Sequence, residues 1–331
     1  MERSKQLWKR GLQKLIKVLG TGYILFHFSE LVFWARIQPD DSLQGLIFTW
    51  LVYSFAAWIT LAVMEHFRVS TFPGVFLAGA FFGWLVEGVI VQTVYEDLPL
   101  SISFTGLAWH ALISVCGGWL LLRRMLRKPP AQMALLSVAY GLAYGLWAIS
   151  WWVQEPGAIF PAGDFALYAF GGTLVLIVSY RALEWVAHVP LEMRRWQAWM
   201  AGVLLLVLFA LGSAAAEPVS ILVFPLLMLA VFLPLRKNRA AADTRRPVDL
   251  FTGKVRAVNY WLIILIPVTA MLVYWLAWII HLRIPTHWIF YLITTPAGFL
   301  LFIRSVWKTS MKKPSGITIA EGNKAGEDTL R

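Results

Sequence analysis

The chain has a single cysteine, Cys116, so no disulfide can close within it. A lone Cys inside an apolar stretch acts as a small core hydrophobe. Charge is scarce too: 14% of the 331 residues are Asp, Glu, Lys or Arg, against about a quarter in a soluble domain. With 59% hydrophobic residues and a mean hydropathy of +0.66, the chain lacks the polar surface that a fold immersed in water requires. It carries no Gly-rich phosphate loop, no His-Glu-x-x-His and no Gly-x-Ser-x-Gly, which removes the common soluble-enzyme signatures. The longest loop, Leu235 to Asn259, is basic and has too few apolar residues for a domain of its own. Chemistry is therefore expected inside a membrane or at its surface.

What the chain does have is long apolar stretches separated by charge of alternating sign. About 20 apolar residues cross the hydrocarbon core as a helix. Ten stretches qualify, near 16–36, 44–64, 73–95, 102–122, 132–153, 165–185, 197–213, 219–235, 260–281 and 287–306. The seventh and eighth are the shortest, and a count of eight spans is the alternative. All of the 29 Lys and Arg except Arg36 and Arg283 fall on one side of these spans. The other side carries Asp40, Asp41, Glu96, Asp97, Glu155, Asp164 and Glu217. Cytoplasmic loops retain Lys and Arg, so the expected fold is all-α: a polytopic transmembrane helix bundle of about ten spans with both termini cytoplasmic, in the cell membrane. Residues 1–15 read as a retained basic cytoplasmic segment, 16–306 as the bundle, 236–259 as a basic cytoplasmic loop and 307–331 as a disordered tail. The net charge of +11 reads as topology signal and contact with anionic lipid headgroups; the expected partner is the bilayer, with no nucleic acid.

Charged or titratable side chains deep in a span are costly, roughly 2.5–3.5 kcal/mol for a charge on insertion scales, and so face a cavity or a partner. Four stand out: His27 and Glu30 in the first span, Glu87 in the third and His110 in the fourth. His27, Glu87 and His110 each lie about nine residues inside the non-cytoplasmic boundary, roughly 14 Å at 1.5 Å per residue. Glu30 follows His27 at i+3, a spacing that shares a face on an α-helix. Gly20, Tyr23 and Trp34 share the helical spacing of His27 and Glu30 in the first span, and small residues accompany the polar ones: Gly20 in the first span, Gly83 and Gly88 in the third, Gly106, Ser114 and Gly117 in the fourth. Such stripes let helices approach closely, so the first, third and fourth spans are expected to pack with their polar groups converging. Trp and Tyr crowd the span ends as interfacial belts do, and Trp147, Trp151 and Trp152 in the fifth span are read the same way, with the lining of a cavity as the alternative.

Gly83 to Glu87, continuing through Tyr95, with Trp109–His110–Ala111–Leu112 and Gly117, resembles two helices of the glutamic-type intramembrane proteases, which combine buried Glu with His on neighbouring spans. The similarity covers about 35 residues. It lacks the paired glutamates of such families, for which Glu65–His66 is a poor substitute.

Four functions remain open on these residues. A membrane-embedded hydrolase of a lipid or membrane peptide would use Glu87 as general base with His110. His27, Glu30 and His110 would then hold a divalent metal, Zn or Fe, and Tyr95, Gln92 and Trp109 would contact substrate. A proton-coupled transporter of a small solute would exchange protons through Glu87 and His110. A haem protein would use His27 and His110 as axial ligands. A structural or assembly protein would use the same groups only to fix helix packing.

Overall fold

The computed structural model describes residues 2–39, 41–155, 159–241 and 246–311. It is 82% helical, with no strand among the described residues. Among the described residues, ten helices are each long and apolar enough to cross a membrane: α1 (Lys5–Trp34), α2 (Leu43–His66), α3 (Phe72–Ile90), α4 (Ile102–Met125), α5 (Pro130–Gln154), α6 (Ala162–Trp185), α7 (Arg195–Ala216), α8 (Ser220–Arg239), α9 (Ala257–Ile279) and α10 (His287–Ser310). The short seventh and eighth stretches thus extend into helices of 22 and 20 residues, α7 winding on through the small residues Ala214–Ala216 and α8 through the basic residues up to Arg239.

Local chemistry explains the ends. Ser42 caps α2 by accepting from the Gly45 N–H at 3.0 Å, satisfying one of the free donors of a first helical turn. Prolines open α3 and α5, where the missing N–H costs nothing. Ala35 closes α1 with a φ of 56°, and Gln92 follows α3 with a φ of 74°. The segment expected as a separate basic N-terminus winds into α1 as one helix from Glu2. Two further boundaries shift: α8 winds on to Ala241, and a short 3₁₀ turn at Pro247–Leu250 occupies part of the expected loop. The tail beyond Met311 and Asp40 lie outside the described residues.

α3 is the most enclosed helix. It packs on α4, α2, α8 and α10, while α1 packs on α2, α4 and α6, and α5 lies along α9. Of the most apolar window of α3, 89% is buried, against 11% for α7 and for α10; the outer helices present leucine and tryptophan outward. At the end of the bundle that carries Arg123, the basic end, Arg123 donates to Glu184 at 2.9 Å and Arg127 pairs with the same carboxylate. Lys17 donates to the Val189 carbonyl at 2.6 Å. The opposite, acidic end carries Glu96, Asp97 and Glu155, the last paired with Arg36.

Two glycines bring α3 and α4 together. A methyl group at Gly83 would collide with the Gly106 carbonyl and with Cβ of His110, and one at Gly106 would collide with the Trp84 indole. Gly83→Ala is therefore expected to lower stability by about 1–3 kcal/mol through overpacking, read as a lower unfolding midpoint in detergent. Gly171→Ala, where nothing stands within 4 Å of the added methyl, is expected not to lower it.

Candidate functional site

The three central helices depart from α winding where their polar residues sit. His27–Leu31 in α1, Val86–Ile90 in α3 and Ile102–Leu122 in α4 are wound with i→i+5 hydrogen bonds; the Val91 N–H, for example, reaches the Val86 carbonyl at 2.9 Å. Such π segments are uncommon, usually a single turn, and frequent at functional sites. Here they carry Ser29, Glu30, Glu87, His110 and Ser114.

Glu87 and His110 meet as expected: His110 Nε2 lies 2.6 Å from Glu87 Oε1. The other carboxylate oxygen accepts the Thr93 hydroxyl. On the far side of the imidazole, Nδ1 lies 2.9 Å from Ser29 Oγ on α1. Ser29 donates to Ser114 Oγ at 2.9 Å, and Ser114 donates to the Trp109 carbonyl at 3.1 Å. Since a hydroxyl has one proton, Ser29 serves either Ser114 or the imidazole. With the proton turned to Nδ1, and Nε2–H given to Glu87, the three side chains form a carboxylate–imidazole–hydroxyl relay. Ser29 lacked any signal in the sequence, because a hydroxyl within a span carries little penalty; its position one residue before Glu30 was the only hint.

Glu30 stands nearby but is separately held. Its Oε1 accepts the Tyr53 hydroxyl at 2.6 Å and its Oε2 accepts the Trp34 indole N–H at 3.0 Å. His27 does not join the group. Its ring is buried between Tyr23 and Phe28 beside Gly172 of α6, with neither nitrogen hydrogen-bonded. The cause is the π turn that begins at His27: a wider turn breaks the i, i+3 alignment of an α-helix, so Glu30 and His27 face different neighbours. The expected metal set of His27, Glu30 and His110 is therefore not assembled. His110 spends both nitrogens on Glu87 and Ser29, and among the described residues no three His, Cys, Asp or Glu side chains form a group that could hold a metal ion. The pair His27 and His110 is likewise not set as axial haem ligands, since only His110 reaches the cavity described next.

That cavity, about 810 Å³, opens toward the acidic end. Ser29, Glu30, Glu87 and His110 line its floor, and Trp34, Trp109 and Trp151 its sides. Of the expected substrate contacts, Trp109 belongs to this wall, its indole N–H held by the Phe28 carbonyl at 3.1 Å. Tyr95 and Gln92 lie elsewhere. Tyr95 donates to the Gly88 carbonyl at 2.8 Å and ties the following turn to α3; burial pushes its phenol above the ordinary value, keeping it a neutral donor. The tryptophan question resolves toward the cavity for Trp151, which stacks on Trp34 with centroids 5.2 Å apart. Trp147 and Trp151 both donate to the Phe33 carbonyl, at 2.5 and 2.8 Å, an acceptor left free by the end of α1.

His27→Leu replaces an imidazole with no hydrogen-bond partner by an apolar side chain. Relief of an unsatisfied buried polar group is expected to raise stability by about 1 kcal/mol, seen as a higher unfolding midpoint; a fall would show that the ring has a partner. Comparison with protein families, with curated proteins and with solved structures finds no match to this chain.

Proposed function

We propose that this is a polytopic protein of the cell membrane, both ends cytoplasmic, that hydrolyses an acyl ester or amide from within the bilayer, with Ser29 as nucleophile, His110 as base and Glu87 as the carboxylate that orients it. The observation that carries the reading is the placing of His110 between Glu87 at 2.6 Å and Ser29 at 2.9 Å on a cavity wall. The topology rests on the one-sided distribution of Lys and Arg, which also puts the basic loops against anionic lipid headgroups.

The chemistry follows from the arrangement. Glu87 accepts Nε2–H and so selects the tautomer whose Nδ1 lone pair faces the hydroxyl. As Ser29 Oγ bonds to the acyl carbon, its proton moves to Nδ1, and Glu87 stabilises the imidazolium. The bond to the leaving alcohol or amine then breaks, and that group takes the proton from Nδ1. Water entering from the acidic end attacks the acyl-serine, again giving its proton to His110, and releases the acid with Ser29 restored. The roles are those of a serine-hydrolase triad with the two ring nitrogens exchanged.

A fluorophosphonate probe tests this directly. Purified protein is expected to be labelled at Ser29, with labelling abolished in Ser29→Ala and slowed about 10²–10⁴-fold in Glu87→Gln. Labelling that persists in Ser29→Ala removes the proposal. The 810 Å³ cavity with a carboxylate–imidazole pair at its floor also favours a second reading, a proton-coupled transporter. That reading predicts solute flux in proteoliposomes that follows the pH gradient, stops in Glu87→Gln and survives Ser29→Ala. The topology has its own check: a reporter fused after Asp97 is expected on the non-cytoplasmic side.

A further inference from the structure

Four carboxyl side chains line the 810 Å³ cavity, Glu30, Glu87, Glu96 and Asp97, and among the described residues no Lys or Arg does. Indole and phenol rings stand among them, Trp34, Trp109, Trp151 and Tyr291 included. The face of an aromatic ring is negative and attracts ammonium groups, and a cleft with one sign of charge concentrates ligands of the other. Such walls favour an amine or quaternary ammonium and repel phosphate, sulfate or free carboxylate. The guanidinium of Arg36 lies 5.4 Å from the Trp151 ring centroid but is paired with Glu155 and does not line the cavity.

A second cavity, about 450 Å³, begins on the other side of Trp109. It runs between α4 and α5, past Leu112, Ile113, Leu120 and Tyr140, and ends near Arg124 at the basic end. Trp109 to Arg124 spans roughly 20 Å of helix, and the lining is almost wholly apolar, as a hydrocarbon chain requires. Trp109 borders both cavities. The relay sits at that junction: Phe28 lines the apolar groove while Ser29 lines the acidic cavity, and His110 follows Trp109. Arg124 at the far end fixes polarity, since a cation is disfavoured there and favoured among the carboxylates.

From the meeting of these two cavities at Trp109 we infer that the substrate is a single-chain cationic amphiphile, a fatty acyl ester or amide of a small alcohol or amine bearing an ammonium group. The ammonium occupies the acidic aromatic cavity, the chain passes Trp109 into the groove, and the acyl carbon lies beside Ser29. The bond cleaved rests on the hydrolase reading above; the binding of the cation and of the chain does not.

The test is therefore made on binding, in Ser29→Ala protein reconstituted into phosphatidylcholine nanodiscs and titrated calorimetrically against empty nanodiscs. Dodecyltrimethylammonium is expected to bind at least tenfold more tightly than dodecyl sulfate, and more tightly than octyltrimethylammonium. Replacing Glu96 and Asp97 together, Glu96→Gln with Asp97→Asn, is expected to bring cation and sulfate within about threefold. Ala143→Trp is expected to erase the advantage of the longer chain. Ala143 and Ala139 are exposed residues of the groove wall, so Ala139→Trp is the second variant if the first does not fold. Equal binding of the two headgroups, a preference that survives the double substitution, or a chain-length gain that survives the tryptophan each overturns the inference. Cation binding as expected without fluorophosphonate labelling of Ser29 leaves this site standing and removes the hydrolase; labelling without cation preference does the reverse.

Discussion

The contact between Glu87 and His110 constrains everything around it. A carboxylate and an imidazole held in an apolar interior need every lone pair and proton matched, because the low dielectric that strengthens a satisfied network makes an unsatisfied one costly. Here Thr93 takes the second carboxylate oxygen and Ser29 the second ring nitrogen, while Ser114 gives its own proton to the Trp109 carbonyl. Three helices are committed to this geometry. Gly83 and Gly106 admit the close approach of α3 and α4, each four residues before the polar group it serves. Breaking a buried pair by removing one partner typically costs 3–5 kcal/mol, so the site and the core of the bundle stand together.

How far the sequence reveals this depends on what each residue costs in a membrane. The ten long apolar helices were legible because stretches of about twenty apolar residues have few other uses. Glu87 and His110 were legible because a titratable group deep in a span needs a reason, and their matched depth pointed to a shared partner. Ser29 and Thr93 were not, since a hydroxyl can satisfy itself on its own helix and leaves no hydropathy trace. His27 misled for a different reason. Its spacing to Glu30 implied one face only on an α-helix, and a π turn leaves no periodic signature strong enough to read over five residues. Tyr95 misled because an aromatic at a span end looks alike whether it faces a ligand or ties a turn.

The two ends of the bundle use charge differently. At the basic end, cations are spent on the protein: Arg123 and Arg127 share Glu184, Arg123 lies 3.6 Å from the Phe251 ring centroid, and Arg124 holds the Leu250 carbonyl at 3.1 Å. These contacts pin the connection before α9 to the helix ends. At the acidic end, Glu155 is likewise paired, with Arg36, but Glu96 and Asp97 are exposed at the mouth of the cavity. A charge turned toward a cavity instead of a protein partner is available to something that enters.

The position of the relay fits that division. A hydrolase working inside a bilayer must admit water to the reacting atoms and still shelter a hydrocarbon chain, two demands that exclude each other in one uniform pocket. The wall at Trp109 separates them. On one side lies a cavity with carboxylates and an opening to the acidic end; on the other, a groove of leucine, isoleucine and tyrosine. Phe28 and Ser29 are consecutive, as are Trp109 and His110, so a step of one residue along either helix passes from the dry side to the wet. Under the proposed hydrolysis, such a boundary is where a hydroxyl would meet an acyl carbon whose two substituents prefer opposite surroundings, and the serine next to Phe28, not the deeper His27, stands at it.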